Sequence, residues 1–284
     1  MSVLEADQMS TATARITRHA NILSGQLRSL GAALFPPTRG KSLRSFSSGE
    51  VAKIVGVSDG YLRQLSLDGL GPKPFIGHGG RRSYSLGQTN ELRAYLSEVR
   101  QRESLEFFPR RRAGEKLQVI TVVNFKGGSA KTTTALYLAQ YLALGGFRVL
   151  AIDLDPQASL SAMFGYQPEF DIGPNETIYG AIRYDDQRRP LPEVIRASYF
   201  EGIGLVPGNL ELMEFEHHTP RAMLERRERG HDLFFRRLAT VIDQVDHEYD
   251  VVVIDCPPQL GRNWLSPFLR RGRDSRRTGQ SLSG

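Results

Sequence analysis

Residues 126–134, Lys-Gly-Gly-Ser-Ala-Lys-Thr-Thr-Thr, bring together glycines, two lysines and a row of hydroxyls in a spacing that suits phosphate binding. Glycines let backbone N–H groups converge on phosphate oxygens, and a helix starting at the same point adds partial positive charge. On this reading Gly127, Gly128, Ser129, Ala130, Lys131, Thr132 and Thr133 cradle a nucleotide. Lys131 bridges its β- and γ-phosphates, and the Thr132 hydroxyl sits on a metal ion. The cofactors expected are ATP and Mg2+. The spacing departs from the common Gly-x-x-x-x-Gly-Lys form, because Phe125 and Ala130 hold the glycine positions and Lys126 is an extra, early lysine. Taken alone, an ordinary glycine-rich turn is the alternative.

Carboxylates accompany this loop. The apolar run Val149-Leu150-Ala151-Ile152 ends in Asp153-Leu154-Asp155-Pro156, and Val251-Val252-Val253-Ile254 ends in Asp255. Acidic residues at the carboxyl ends of buried strands stand where open α/β sheets bind ligands. Asp-x-Asp-Pro by itself could also just cap a strand and open a turn. Gln157-Ala158-Ser159-Leu160 continues from it as a polar, switch-like segment. The only cysteine, Cys256, reads as a small buried filler beside Asp255, and a single cysteine forbids an internal disulfide or a multi-thiolate metal site.

The elements that must position these groups form an α/β pattern. Val119 to Val123 is a β-branched run of the kind expected for a strand buried on both faces. A helix from Lys131 to Leu144 follows the loop, and Gly145-Gly146 stops it. Ile203 to Pro207 gives a further short strand, and Arg221 to Val245 is largely helical. Strand, loop, helix, strand in that order needs a crossover and so a parallel sheet. The fold class expected is a P-loop parallel sheet with flanking helices, incomplete, preceded by an all-α winged helix-turn-helix domain. The organisation expected is a helical arm at 1–36, a winged unit at 46–100, a basic linker at 101–116, a nucleotide domain at 117–261 and a basic tail at 262–284.

Charge divides along the same lines. Residues 1–116 carry 18 Lys/Arg against 10 Asp/Glu, residues 117–261 carry 13 against 20, and residues 262–284 carry 6 against 1. A basic front suits a phosphate backbone such as DNA; a solvated surface with some arginine excess is the plain alternative. No apolar run reaches the roughly 18 to 20 residues a membrane span needs. In the front, Ser47 or Ser48 caps a helix to about Val55, Gly56 breaks it, and Ser58 or Asp59 caps a second helix to Leu67. His78 to Arg82 makes a tight turn between two extended pieces, and a third helix runs from about Gly87 to Arg100. This stretch resembles a MerR-like winged helix-turn-helix, with Tyr61, Arg63 and Gln64 on the groove-facing helix and Arg81 and Arg82 at the wing tip. A small helical adaptor is the competing interpretation. The first helix is a dimer arm or a surface helix.

From Lys126 onward the chain resembles the deviant Walker A ATPases of the ParA and Soj partition type, and, with its front domain, the larger RepA-type members of repABC replicons. The resemblance spans about Gln118 to Gly261. It implies that Lys126 reaches across an ATP-sandwiched homodimer, that Asp155 positions the attacking water, that Asp153 lies near the metal shell and that Asp255 holds Mg2+. It further implies slow ATP hydrolysis, nucleoid association in the cytoplasm, a ParB-like centromere-binding partner, and repression of the protein's own operon. The rival expectation is a non-enzymatic DNA-binding repressor with a defective nucleotide domain. After Gly261 the strand pattern stops, so the expectation is a domain cut short, with impaired hydrolysis.

Overall fold

The computed structural model describes residues 3–34, 40–112, 114–124, 126–214 and 230–257. The tail at 262–284, residues 221–229 of the expected long helix, and Phe125 lie outside them. Two compact units are present, residues 1–41 and 42–284. The first holds α1 (Val3–Leu34), on which Ile16, Leu23, Leu27 and Leu30 are exposed.

The second unit opens with β1 (Phe46–Ser47) and α2 (Ser48–Val55). Ser47 and Glu50 form a reciprocal capping box, and Gly56 ends α2 at φ 84°, a left-handed turn that glycine adopts at little cost. Ser58 caps α3 (Asp59–Leu67) by accepting from the Tyr61 N–H. A hairpin of β2 (Phe75–Ile76) and β3 (Arg82–Tyr84) follows, then α4 (Leu86–Val99). Strand β3 lies between β1 and β2, antiparallel to both. The front is therefore not all-α, because the strands flanking the glycine turn pair with each other and Ser83–Tyr84 also pairs with Phe46–Ser47. The expected basic linker also carries structure: a 3-10 turn at Gln101–Glu103 and α5 (Ser104–Phe107), folded there because Phe107 is buried.

Beyond it run β4 (Gln118–Val122), α6 (Lys131–Leu144), β5 (Val149–Asp153), α7 (Ser159–Met163), α8 (Pro168–Asp171), α9 (Ile178–Ile182), α10 (Leu191–Val194), β6 (Arg196–Ala197), β7 (Ile203–Val206), α11 (Gly230–Asp243) and β8 (Val251–Asp255). The sheet order is β4-β8-β5-β7-β6, all neighbours parallel except β6 against β7. Strand β8 enters between β4 and β5. The expectation of a β4 buried on both faces is corrected: Ile120 is exposed and Val119, Thr121 and Val122 are half-buried, and among the described residues its one strand neighbour is β8. Strands β5 and β8 are buried throughout.

Over β5 and β8 both faces of the sheet are covered, as a parallel sheet requires. On one face α6 presents Ala135, Ala139 and Ala143, one turn apart and wholly buried, so small side chains let the helix lie close. On the other, Leu238, Val241 and Ile242 of α11 pack with α9, α10, Leu150 and Ile152. Fully burying each such aliphatic side chain contributes about 1.5–3 kcal/mol. The first cluster also takes in Val51, Leu62, Leu86 and Leu96 of the front helices.

Arg93 of α4 ties these segments together. It is 3% exposed, and its guanidinium donates to the carbonyls of Ile54, Phe107 and Leu144, at the ends of α2, α5 and α6. Three helix C-termini thus face one cation, which their dipoles favour. Gly146, at φ 98°, leaves room for it: a Cβ there would stand 3.1 Å from Arg93 Cδ.

Candidate nucleotide site

The loop between β4 and α6 is shaped by local bonds. The Lys126 N–H donates to Asn124 Oδ1 at 3.0 Å, and Gly128 sits at φ 68°. Ala130, where a common P-loop has glycine, also adopts the left-handed region at φ 58° and ψ 26°. For a residue with a Cβ that costs on the order of 1 kcal/mol. Its carbonyl accepts from the Thr134 N–H and hydroxyl, both at 2.8 Å, which starts α6. No side chain caps this N-terminus, so the first-turn N–H groups remain available to an anion.

The expected residues converge here. Lys126, Gly127 and Gly128 are exposed, Ser129, Thr132 and Thr133 are half-buried, and Lys131 is buried in the first turn of α6. Asp255, at the end of the central strand β8, is fully buried, and neither carboxylate oxygen has a hydrogen-bond partner. Burial pushes its pKa up to about 6; the nearby Thr132 hydroxyl and Lys131 pull the other way without forming a well-made hydrogen bond, and Asp155 adds to the rise. A buried, unpaired carboxylate is costly unless a cation or donor completes it. Cys256 beside it is buried, its thiol raised to about 12 by burial.

Asp153 stands opposite Asp255 in the β5–β8 register. Its oxygens are spent inside the protein: Oδ1 accepts from the Asp155 N–H at 3.1 Å, and Oδ2 from the Ser161 N–H at 2.9 Å and hydroxyl at 2.8 Å. Burial raises it to about 7 against the pull of the Ser161 bonds. Asp155 is half-buried, with Oδ1 accepting from the Gln157 N–H at 2.9 Å. Among the described residues no group of three or more His, Cys, Asp or Glu side chains is arranged as a metal cage. One carboxylate with a hydroxyl is instead the sparse set that suits Mg2+ shared with phosphates.

Sequence reasoning missed Ser161, Gly208 and Asn124. The first two meet across 47 residues, and no local pattern marks that meeting. In the front, Arg63 and Gln64 are exposed on α3, with Gln64 donating to Asp68, and Arg81 and Arg82 lie at the hairpin. Tyr61 is half-buried with the Arg100 guanidinium 4.7 Å from its ring centre, so it is less available than Arg63, Gln64 or Arg81.

A glycine-rich loop from a strand into an uncapped helix, with acidic residues on the carboxyl edge of a parallel sheet, defines a P-loop α/β domain. The AAA_31 family, described as an AAA domain, matches residues 117–265. The chain belongs to this family, in its ParA-type branch. A protein from Rhizobium rhizogenes with the provisional name replication protein A is 54% identical over 254 residues, covering 89% of this chain and 62% of that relative. SopA of Escherichia coli K12 is 32% identical over 229 residues, covering 79% and 56% respectively. The chain thus spans about three fifths of the length of the curated relatives it matches. A solved structure titled "Partition Protein" has the same fold at TM-score 0.55, with 23% identity over 90% of this chain and 68% of that one. Among the described residues no helix is long and apolar enough to cross a membrane.

Proposed function

We propose that the chain binds Mg-ATP at the β4–α6 loop as a partition-type switch and binds DNA through α3 and the β2–β3 hairpin. The carrying observation is Asp255: a fully buried carboxylate with both oxygens unpartnered, beside Lys131 and Thr132. The residues present therefore fit Mg-ATP. Gly127 to Thr133 would hold the phosphates, with Thr132 and Asp255 at the metal, whose charge when bound offsets that of the phosphate oxygens. Asp155 would orient the water that converts ATP to ADP and phosphate. Lys126, exposed at the loop's start, is free to reach a second copy. Asp153 serves instead to shape the strand end, since its oxygens are already satisfied.

In the same reading α2 and α3 form a helix-turn-helix with a short wing. Arg63 and Gln64 would meet base edges, with Tyr61 beside them, and Arg81 and Arg82 the backbone. DNA segregation with an ATP-dependent homodimer, a ParB-like partner on the centromere, nucleoid association and control of its own operon complete the proposal. A second reading, a DNA-binding repressor that needs no nucleotide, draws support from the front helices, each of which is capped by its own serine.

Titration with a fluorescent ATP analogue and Mg2+, beside Lys131→Ala, tests the first reading. Saturable binding lost in the variant supports it. Absence of binding with DNA affinity intact would favour the second.

A further inference from the structure

We propose that Ser161 is a positioning residue that locks the Asp153–Asp155 strand end to the loop after β7, and so sets where Asp155 stands. Ser161 is fully buried, and each of its polar groups is used. Its N–H and hydroxyl both donate to Asp153 Oδ2, and its oxygen in turn accepts from the Gly208 N–H at 3.0 Å. Asp153 passes the constraint on, because its other oxygen accepts from the Asp155 N–H. One hydroxyl therefore joins three stretches: the end of β5, the start of α7 and residues 207–209.

Gly208 closes the same junction by contact. A Cβ on it would lie 2.9 Å from the Asp155 carbonyl oxygen and 3.1 Å from the Asp153 carboxyl carbon. Only a residue without a side chain lets this loop sit against the Asp155 backbone. The Asp155 carbonyl also accepts from the Ala158 N–H, and Ala158 holds φ 52° as the residue before α7. A non-glycine residue in that conformation persists where its surroundings over-determine it. Asp155 is thus held from three directions, and Ser161 is the group common to two of them.

The catalytic part of this inference rests on the Mg-ATP reading, while the mechanical part does not, and the test separates them. Hydrogen–deuterium exchange is followed in the whole chain, in Ser161→Ala and in Gly208→Ala, alongside titration with the fluorescent ATP analogue. Ser161→Ala is expected to raise exchange roughly 10-fold at residues 155–163 and also at 207–209, the effect of losing the hydroxyl's bond to the buried carboxylate and the bond it accepts from the Gly208 N–H. A rise confined to 159–163, or none, overturns the lock. Gly208→Ala keeps every Ser161 donor, and it is expected to loosen 155–158 by itself; unchanged exchange there would also overturn it. Where the wild type hydrolyses ATP, Ser161→Ala should bind the analogue within about 3-fold of wild type and turn over about 10-fold more slowly, the split expected when an interaction counts mainly in the transition state. Equal losses in binding and turnover would mean a merely structural serine. A wild type that binds no nucleotide sinks the Mg-ATP reading alone, and the exchange data still decide the lock.

Discussion

Replacing Asp255 by asparagine should make the nucleotide-free protein more stable while abolishing its response to Mg-ATP. Both carboxylate oxygens of Asp255 are buried and unpartnered, and burial lifts its pKa from 3.8 to about 6. The folded state thus holds the proton more tightly than the unfolded chain. Below about pH 4 the group is protonated in both states and costs nothing. As pH rises through about 6, the fold loses on the order of 3 kcal/mol, because each tenfold difference in proton affinity is worth about 1.36 kcal/mol. Asparagine carries no charge to bury but leaves an amide with imperfect partners, which returns about 1–2 kcal/mol of that gain. The net expectation near pH 7.5 is a gain of about 1–2 kcal/mol, or a few degrees in Tm. Thermal melts of both proteins at pH 5 and 7.5, with and without Mg-ATP, check this. The gap should narrow at pH 5, where wild-type Asp255 is largely protonated, and Mg-ATP should raise the wild-type Tm alone. A variant less stable than wild type at pH 7.5, or a gap that does not change with pH, would refute the reasoning.

Asp250→Ala should cost about 1–3 kcal/mol in urea denaturation, because it removes the buried acceptor of the Arg148 guanidinium, which is a third exposed and partly compensated by water. Burial alone would raise the Asp250 pKa, but the Arg148 bonds outweigh it and hold the group below its usual value. The stability this pair contributes is therefore present above the unfolded pKa and lost as pH falls, and the variant's acid-unfolding profile should lack that component. Arg93→Lys keeps a cation but not the planar fork that reaches Ile54, Phe107 and Leu144, so exchange should quicken together at the ends of α2, α5 and α6, with stability lower by about 2–3 kcal/mol. Arg63→Ala with Arg81→Ala should weaken DNA binding, and removing each phosphate-binding cation should lower the slope of log affinity against log salt by about 0.9. An unchanged slope and affinity in fluorescence anisotropy would remove both residues from the interface.

Much of the local structure was readable in advance because its causes are local. Ser47 and Ser58 cap α2 and α3 through bonds to residues three positions on, and Gly56 takes the left-handed turn between them. Helix α6 begins at Lys131 and ends at Leu144 as the glycines around it dictate, and the apolar runs at β5, β7 and β8 became strands. The glycine-rich turn from β4 into α6 was readable for the same reason, since its spacing lies within nine consecutive residues. Strand order was not. An apolar run does not state its neighbours, so nothing local told that β4 would end the strand order among the described residues, and Arg196–Ala197 was not foreseen as a strand. The family resemblance places Asp153 near the metal shell, and only the folded chain shows Ser161 donating twice to its Oδ2 while the Asp155 N–H holds Oδ1. Residue types and short spacings by themselves determined the helices, their caps, the glycine-rich turn before α6 and which carboxylates end strands, because those depend on bonds a few residues long. Insertion of β8 between β4 and β5, the unpartnered Asp255 beside Thr132, Ser161 meeting Gly208 across 47 residues and Arg93 meeting Leu144 across 51 were decided by tertiary structure alone, since burial and pairing at such separations exist only once the core has closed.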